Sequence, residues 1–277
     1  MSGMKLKLKR VTSNGWKFEH PLIVTRFNKM LNEAIELMNE GYSDKAKDIL
    51  RMIIEESPEH IDAYHHLALL LLNRENVKQE NVKDAFALWM KAVGIGKRCF
   101  PTKEFIFGKD LLEWDYPDNR PFLSASGSLG LLLYSMEEVE EALKIFHNIL
   151  SINPNDDQGI RSLAIQAHFD LNQPEEVLKI CDNYRRDITA DTLYGRPLAL
   201  IQTGRKDQAE RHLKEAIQWL PLIVKELTKK RHRPPKDLLK AGYITIGGPD
   251  KAYDYWQRFG KVWEDTEGAI DFMKGLM

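Results

Sequence analysis

The sequence predicts an all-α solenoid in which antiparallel helix pairs stack along the chain. Three observations support this fold class. Small and apolar residues recur at a fixed spacing, a proline follows each of the clearest units, and 43% of the 277 residues are hydrophobic, which is enough for a continuous core. We therefore expect about five helix pairs, an aromatic insert between two of them, and a helical carboxy-terminal cap.

The fixed spacing is clearest in three segments. Each has an alanine, apolar residues four and seven positions later, and a proline at position twelve, and such apolar residues share one helical face. The three sets are Ala46, Leu50, Ile53 and Pro58; Ala142, Phe146, Ile149 and Pro154; and Ala209, Leu213, Ala216 and Pro221. Small residues lie twelve positions before the first two alanines, at Ala34 and Gly130, whereas Pro197 occupies the third position. The pattern predicts paired helices that repeat about every 34 residues.

Two further repeats are less regular. The second repeat combines Tyr64, Leu67, Ala68 and Leu71 with Ala85, Trp89 and Ala92, and the fourth combines Ile160, Leu163, Ala164 and Ala167 with Val177, Cys181 and Tyr184. Cys181 occupies a large packing position, so we expect a buried, unreactive thiol there.

At these residues the chain, from about Thr25 to Pro221, resembles the tetratricopeptide repeat (TPR) family. The resemblance implies a right-handed superhelix whose first helices line a concave groove. It also implies binding rather than catalysis, although such repeats bind many kinds of partner.

The distal half has a narrower resemblance. It is similar to suppressor-of-tumorigenicity-seven-like proteins and to uncharacterised microbial TPR proteins of the same layout. The matching positions are Pro234-Pro235, Leu238-Leu239, Gly248 to Ala252, Trp263 and Glu267-Gly268-Ala269. The chain lacks the membrane segments of the animal members, so no membrane role is carried over.

The repeats predict three regions. Residues 1–22 form an amino-terminal extension, residues 23–221 the solenoid with an insert at about 94–120, and residues 222–277 the cap. The insert is rich in aromatic residues, namely Phe100, Phe105, Phe107, Trp114 and Tyr116, so we expect it to pack on the solenoid. Apolar residues at helical spacing are expected to close the last repeat: Ala252, Tyr255, Trp256, Phe259 and Val262 or Trp263.

The repeat phase predicts a partner-binding groove. In the fourth repeat its face carries Gln158, Arg161, Ile165 and His168, and neighbouring first helices add His65, Tyr134 and Tyr194, with Arg120 just before the third. An arginine among aromatic rings suits a carboxylate, a phosphate or a stacked ring. The alternative is that Arg161 bonds internally to Asp157, Asp191 or the insert. The carboxylate clamp of chaperone-binding relatives is absent, because Leu31 and Ile35 occupy the corresponding positions.

Charge gives no general preference for a partner, because 40 basic residues balance 41 acidic residues. Two local basic stretches remain, Lys5 to Arg10 and Lys229 to Arg233. We interpret them first as solvated faces. The alternative function is a nucleic-acid or ribosome-associated factor that uses these stretches.

Catalytic, metal and cofactor motifs are missing from the sequence. His65 and His66 are about 100° apart on a helix, no HExxH motif occurs, and Gly94 to Lys97 lacks the rest of a phosphate loop. The cysteines Cys99 and Cys181 form no metal-binding or disulfide pattern. We therefore predict a cytoplasmic, non-enzymatic scaffold or adaptor without cofactor, metal or membrane span, which binds a protein or peptide partner in its groove. A third possibility is an accessory subunit that uses its convex face.

Overall fold

The computed structural model describes residues 5–72, 77–235, 245 and 247–277. An antiparallel hairpin opens the chain, with strands β1 (Lys7–Arg10) and β2 (Trp16–Glu19), and the short helix α1 (Leu22–Arg26) follows. Five helix pairs come next: α2 (Asn28–Asn39) with α3 (Ser43–Glu56), α4 (Ile61–Leu72) with α5 (Gln79–Lys97), α6 (Arg120–Ser135) with α7 (Val139–Ile152), α8 (Ile160–Asp170) with α9 (Pro174–Asn183), and α10 (Ala190–Gln202) with α11 (Lys206–Trp219). The predicted all-α solenoid of five pairs is confirmed, and the amino-terminal hairpin is the part that the prediction missed.

The chain folds as two compact units, residues 1–160 and 161–277. In the first unit, a core joins α2, α3 and α4 through Leu31, Ala34, Ala46, Leu50, Ile53, Ala63, Leu67 and Leu70. Ala34 and Ala46 are the small residues of the first repeat, and both are completely buried. Their small side chains let the paired helices approach closely, as the repeat spacing predicts.

The third pair shows why a glycine occupies the small position. A β-carbon placed on Gly130 would lie 2.6 Å from Cε1 of Phe146, which is the large residue of the same repeat. Phe146 is itself completely buried. Gly130 therefore leaves room for the phenyl ring between α6 and α7.

The amino-terminal extension is bound to the insert within the first unit. The backbone amide of Trp16 donates to the carbonyl of Leu111 at 2.8 Å, and the amide of Leu111 donates to the carbonyl of Asn14 at 2.7 Å. The buried side chain of Asn119 adds two hydrogen bonds to β2, since it accepts from the Phe18 amide and donates to the Trp16 carbonyl. The hairpin and the insert therefore form one layer.

The insert packs around aromatic rings. Helix α5 continues to Lys97, and a 3-10 turn at Pro117–Asn119 leads into α6. Phe100 contacts the rings of Phe18, Phe105 and Phe122 at centroid distances of 6.4, 4.7 and 5.5 Å. The expectation that the insert packs rather than forming a linker is confirmed.

The second unit ends in three helices, α12 (Pro221–Leu227), α13 (Pro249–Asp265) and α14 (Ala269–Lys274). Helix α13 buries Ala252, Tyr255, Phe259 and Trp263, which the sequence pattern had selected. Trp263 donates through Nε1 to the Tyr255 hydroxyl at 3.1 Å. The pair Leu238-Leu239, part of the narrower resemblance, lies outside the described residues. Within the described ranges, no helix is long and apolar enough to cross a bilayer.

Candidate functional site

Arg161, the central residue of the predicted groove, is engaged inside the second unit. Its Nε and Nη2 atoms donate to Asp187 at 2.8 and 3.1 Å, and the guanidinium lies 5.2 Å from the centre of the Tyr184 ring. Thr189 and Thr192 also donate to Asp187 through their hydroxyl groups. Burial opposes the charge of Asp187, but the hydrogen bonds from Arg161 and the two threonines outweigh it and lower its pKa to about 2.

Internal bonding of Arg161 was the alternative in the sequence analysis. The three partners named there were Asp157, Asp191 and the insert, whereas the observed carboxylate belongs to Asp187. Asp191 instead pairs with Arg258 of α13 at 2.7 Å. The sequence analysis therefore allowed for an internal partner of Arg161 but did not identify Asp187 as that partner.

The other predicted groove residues of the second unit are buried. Tyr194 is completely inaccessible to solvent, and its hydroxyl donates to the carbonyl of Leu220 at 2.9 Å. His168 is also buried and lies 2.8 Å, through Nδ1, from Oε1 of Gln173. Both side chains pack inside the helix array of this unit.

The remaining predicted residues lie in the first unit. His65 is buried and accepts a hydrogen bond at Nδ1 from Nε1 of Trp89 at 3.1 Å. Arg120 donates to the carbonyl of Trp114 at 3.0 Å, and its guanidinium lies 5.5 Å from that ring. Tyr134 and Gln158 are partly exposed. The seven predicted residues are thus divided between the two units.

A cavity of about 250 Å³ opens on the first unit at the start of its first helices. We call it the asparagine–histidine pocket. Its polar wall consists of His20, Asn28, Asn32, His60, Asp62 and Asp118. Asn28 and Asn32 are exposed and lie one turn apart on α2, so their amide groups face the same side. The hairpin layer supplies His20, and the residues before α4 supply His60.

The tautomers of the two histidines follow from their neighbours. The Ala63 amide donates to Nδ1 of His60 at 3.3 Å, which leaves the proton of the neutral ring on Nε2. Nε2 of His20 lies 3.3 Å from the carbonyl of Asp118, which can only accept, so in the neutral ring Nδ1 is an acceptor. His60 Nε2 and His20 Nδ1 are buried and have no hydrogen-bond partner among the residues that the structure describes.

Electrostatics favour a neutral imidazole at His60. Burial is the main cause and lowers the pKa of His60 to about 4. Its neighbour Asp62 pairs with His66 at 3.1 Å. Burial opposes charge on both partners, but their hydrogen bond and mutual attraction lower the pKa of Asp62 and raise the pKa of His66. No lysine or arginine lines the pocket among the described residues. The described wall therefore offers no lysine or arginine charge that would attract an anionic ligand.

Helix α1 borders the pocket. Leu22 and Ile23 of α1 are 81% and 46% exposed, and the next two residues, Val24 and Thr25, line the cavity. The signals for this site were present in the sequence as an asparagine pair at helical spacing and a histidine just before a helix. The groove positions of the repeat did not include them.

The described residues contain neither a cluster suited to a metal ion nor a thiol with a lowered pKa. Within those ranges, no group of three or more histidine, cysteine, aspartate or glutamate side chains could hold a metal ion. Burial raises the pKa of the Cys181 thiol to about 12 and that of Cys99 to about 11. The expectation of a buried, unreactive Cys181 is confirmed.

The helix pairs define the class of the protein, a TPR-like solenoid. The sequence also matches the family model described as transcriptional repressor TCF25 over residues 33–270. The match spans well over half of the chain, and the chain belongs to this family. The resemblance to TPR proteins is confirmed, and the TCF25 family model extends over most of the distal half as well.

Solved structures agree with the fold. A tetratricopeptide repeat protein from Parabacteroides merdae ATCC 43184 is 13% identical with a TM-score of 0.52, covering 90% of this chain and 96% of that chain. MamA is 12% identical with a TM-score of 0.51, covering 77% and 98%. YrrB, described as a TPR protein with an unusual peptide-binding site, is 18% identical with a TM-score of 0.50, covering 72% and 92%. At these identities the likeness shows the fold alone. No curated protein matches the chain.

Proposed function

We propose that the chain is a non-enzymatic interaction module that binds a peptide segment of a partner protein in the asparagine–histidine pocket. The observation that carries the proposal is a pocket lined by His60 and His20, each of which has a buried ring nitrogen without a hydrogen-bond partner among the described residues. Leaving such buried groups unpaired costs on the order of 1–3 kcal/mol each. A peptide group offers the complementary carbonyl oxygen and amide hydrogen.

The surroundings support an extended peptide over a charged small molecule. Asn28 and Asn32 each present a donor and an acceptor at the exposed side of the pocket, where a peptide backbone can use both. The exposed side chains of Leu22 and Ile23 offer apolar contact to a neighbouring residue of the peptide. The carboxylates of Asp62 and Asp118 favour a neutral or basic segment over an acidic one.

The family description suggests a biological setting. Members are described as transcriptional repressors, and repression through protein contacts is consistent with an adaptor. The surface around Arg161, within the second unit, remains a second candidate for the same function. A cytoplasmic location, expected from the cysteine content, remains a prediction.

Affinity capture with matched variants tests the proposal. The double variant Asn28→Ala, Asn32→Ala removes the exposed amides, and Asn39→Ala removes an exposed asparagine at the other end of α2. We expect the double variant to weaken capture of a specific partner roughly tenfold, as two lost hydrogen bonds would. The control should retain that partner, and a peptide from it should bind the purified protein.

Two results would contradict the pocket as the binding site. One is equal capture by the double variant and the unchanged protein. The other is loss of the partner with Arg161→Ala under conditions in which that variant is still folded, which would favour the surface around Arg161. Equal capture by all variants would favour the convex face.

A further inference from the structure

The two basic stretches of the sequence differ in how many of their cations have ion-pair partners in the structure. In the first stretch, Lys7 and Lys9 pair with Glu19 at 2.8 and 3.6 Å across the hairpin. Arg10 pairs with Asp110 at 3.7 Å and lies 4.5 Å from the centre of the Trp16 ring. Three of the four cations of this stretch, Lys7, Lys9 and Arg10, therefore each lie beside a carboxylate inside the first unit.

Three cations of the second stretch have no ion-pair partner among the described residues. Lys229 pairs with the buried carboxylate of Glu226, the acid that also binds His232. Lys230, Arg231 and Arg233 are exposed, and no ion pair joins them to any residue that the structure describes. Three cations thus lie close together in sequence on the surface of the second unit.

The segment is anchored at its centre. The His232 ring stacks on the Trp256 ring at a centroid distance of 3.9 Å and an interplanar angle of 8°. Its Nδ1 atom also lies 3.0 Å from Oε1 of Glu226. Arg231 and Arg233 flank this anchor, and Pro234 restricts Arg233 to an extended backbone. The backbone that carries the two guanidinium groups is therefore fixed before binding, which reduces the conformational entropy lost when a ligand binds.

We propose that residues 229–233 bind the phosphate backbone of single-stranded nucleic acid. The planar guanidinium groups of Arg231 and Arg233 match phosphate oxygens, and Lys230 adds a third cation. The partly exposed ring of Tyr253 lies 5.3 Å from the Trp256 ring of the anchor and offers surface for stacking a base. This binding site is separate from the peptide pocket, which lies in the other unit and has no lysine or arginine in its described wall.

Fluorescence anisotropy with labelled oligonucleotides tests the proposal. The probes are single-stranded RNA and DNA of one sequence, about 20 nucleotides long, titrated between about 50 and 200 mM salt. The test variant is Lys230→Gln, Arg231→Gln, Arg233→Gln. The control variant, Lys5→Gln, Lys7→Gln, Lys9→Gln, removes the same number of charges from the hairpin. All substituted side chains are exposed, so circular dichroism should show an unchanged fold.

The test variant should weaken binding at least about tenfold at the lowest salt concentration, and its log–log salt slope should be shallower by about 2, as expected for three lost contacts. The control should change affinity less than about twofold, since two of its three cations, Lys7 and Lys9, already pair with Glu19. Equal affinity for RNA and DNA would indicate that the protein recognises the phosphate backbone that both share. A preference for one probe would also support the proposal and would identify which nucleic acid is bound.

Three outcomes would overturn it. The unchanged protein could fail to bind either probe at the lowest salt. Both variants could weaken binding equally, which would mean that net charge alone explains the effect. Polyglutamate could displace the RNA as well as unlabelled RNA does, which would assign the segment to an acidic protein instead.

Discussion

The Arg161 network of the second unit and the asparagine–histidine pocket of the first unit are both polar clusters near the starts of first helices, but they differ in how their hydrogen bonds are filled. Arg161 and the two threonines converge on Asp187. In the pocket, His60 and His20 each keep a buried nitrogen without a partner among the described residues. A filled network stabilises its own fold, whereas an unfilled donor and acceptor can be satisfied by a ligand.

The largest expected effect is a loss of stability of the first unit in mild acid. Burial lowers the pKa values of His60 and His65 from 6.5 to about 4. The unfolded chain therefore takes up protons first, and stability that is present above pH 6.5 is lost as the pH falls toward 4. At about pH 5 each histidine should cost about 2 kcal/mol, at 1.36 kcal/mol per pKa unit.

Hydrogen exchange of the α4 amides at neutral pH and at about pH 5 measures this loss. The variant His65→Gln keeps an acceptor for Trp89 and should show a smaller pH dependence. The raised pKa of His66 acts in the opposite direction, so its contribution is lost as the pH rises. An acid response that is unchanged in His65→Gln would show that His65 is not its source.

Removing Arg161 should destabilise the second unit by about 2–3 kcal/mol. Its side chain and that of Asp187 are 15% and 12% exposed, and breaking a pair in such a site leaves a poorly solvated charge. The control is Arg205→Ala, whose partner Glu175 is 63% exposed, and which should cost less than about 1 kcal/mol. Chemical denaturation measures both. Equal costs would mean that the Arg161 network is not a stabilising one.

A smaller effect is expected at Gly130, in the same unit as the pocket. Gly130→Ala should cost about 1–2 kcal/mol, because the added methyl group meets the buried Phe146 ring. Gly94→Ala is the matched control, since the nearest atom, of Arg98, is 3.9 Å away, and it should be neutral or stabilising. Thermal denaturation distinguishes the two. If Gly130→Ala still binds the peptide, then peptide binding does not depend on small changes in the stability of the first unit.

The smallest change in stability is expected in the pocket itself. Asn28→Ala and Asn32→Ala should each change the free energy of unfolding by no more than about 0.5 kcal/mol, because both side chains are exposed. Urea denaturation of each variant checks this. A cost above about 1 kcal/mol would indicate that the asparagines serve the fold rather than a ligand.

Prediction from sequence succeeded where local spacing determines structure. The alanine and apolar positions of the repeats predicted the five helix pairs, and the apolar residues expected to close the last repeat, from Ala252 to Trp263, lie on α13. The amino-terminal hairpin was missed, although lysine and leucine alternate from Lys5 to Lys9 as exposed and buried residues of a strand do. The contact that holds β2, with Asn119 more than 100 residues away in the chain, is not visible in the local sequence.

The candidate site could be predicted only in part for a similar reason. Repeat phase selected Arg161, Tyr194 and His65, but it did not show that their hydrogen bonds are filled by Asp187, Leu220 and Trp89. The pocket combines residues from the hairpin, α2 and the start of α4, so its composition depends on packing between distant segments.

The sequence by itself determined that this protein is a solenoid of helix pairs, because apolar residues at helical spacing specify which faces are buried. It also determined the two basic stretches and the balance of charge. Only the tertiary structure decided that Lys7 and Lys9 meet Glu19 while Lys230 and Arg231 pair with no described residue. Hydrogen bonds and ion pairs depend on distances of a few ångströms between segments that are remote in sequence, and helical spacing carries no information about those distances.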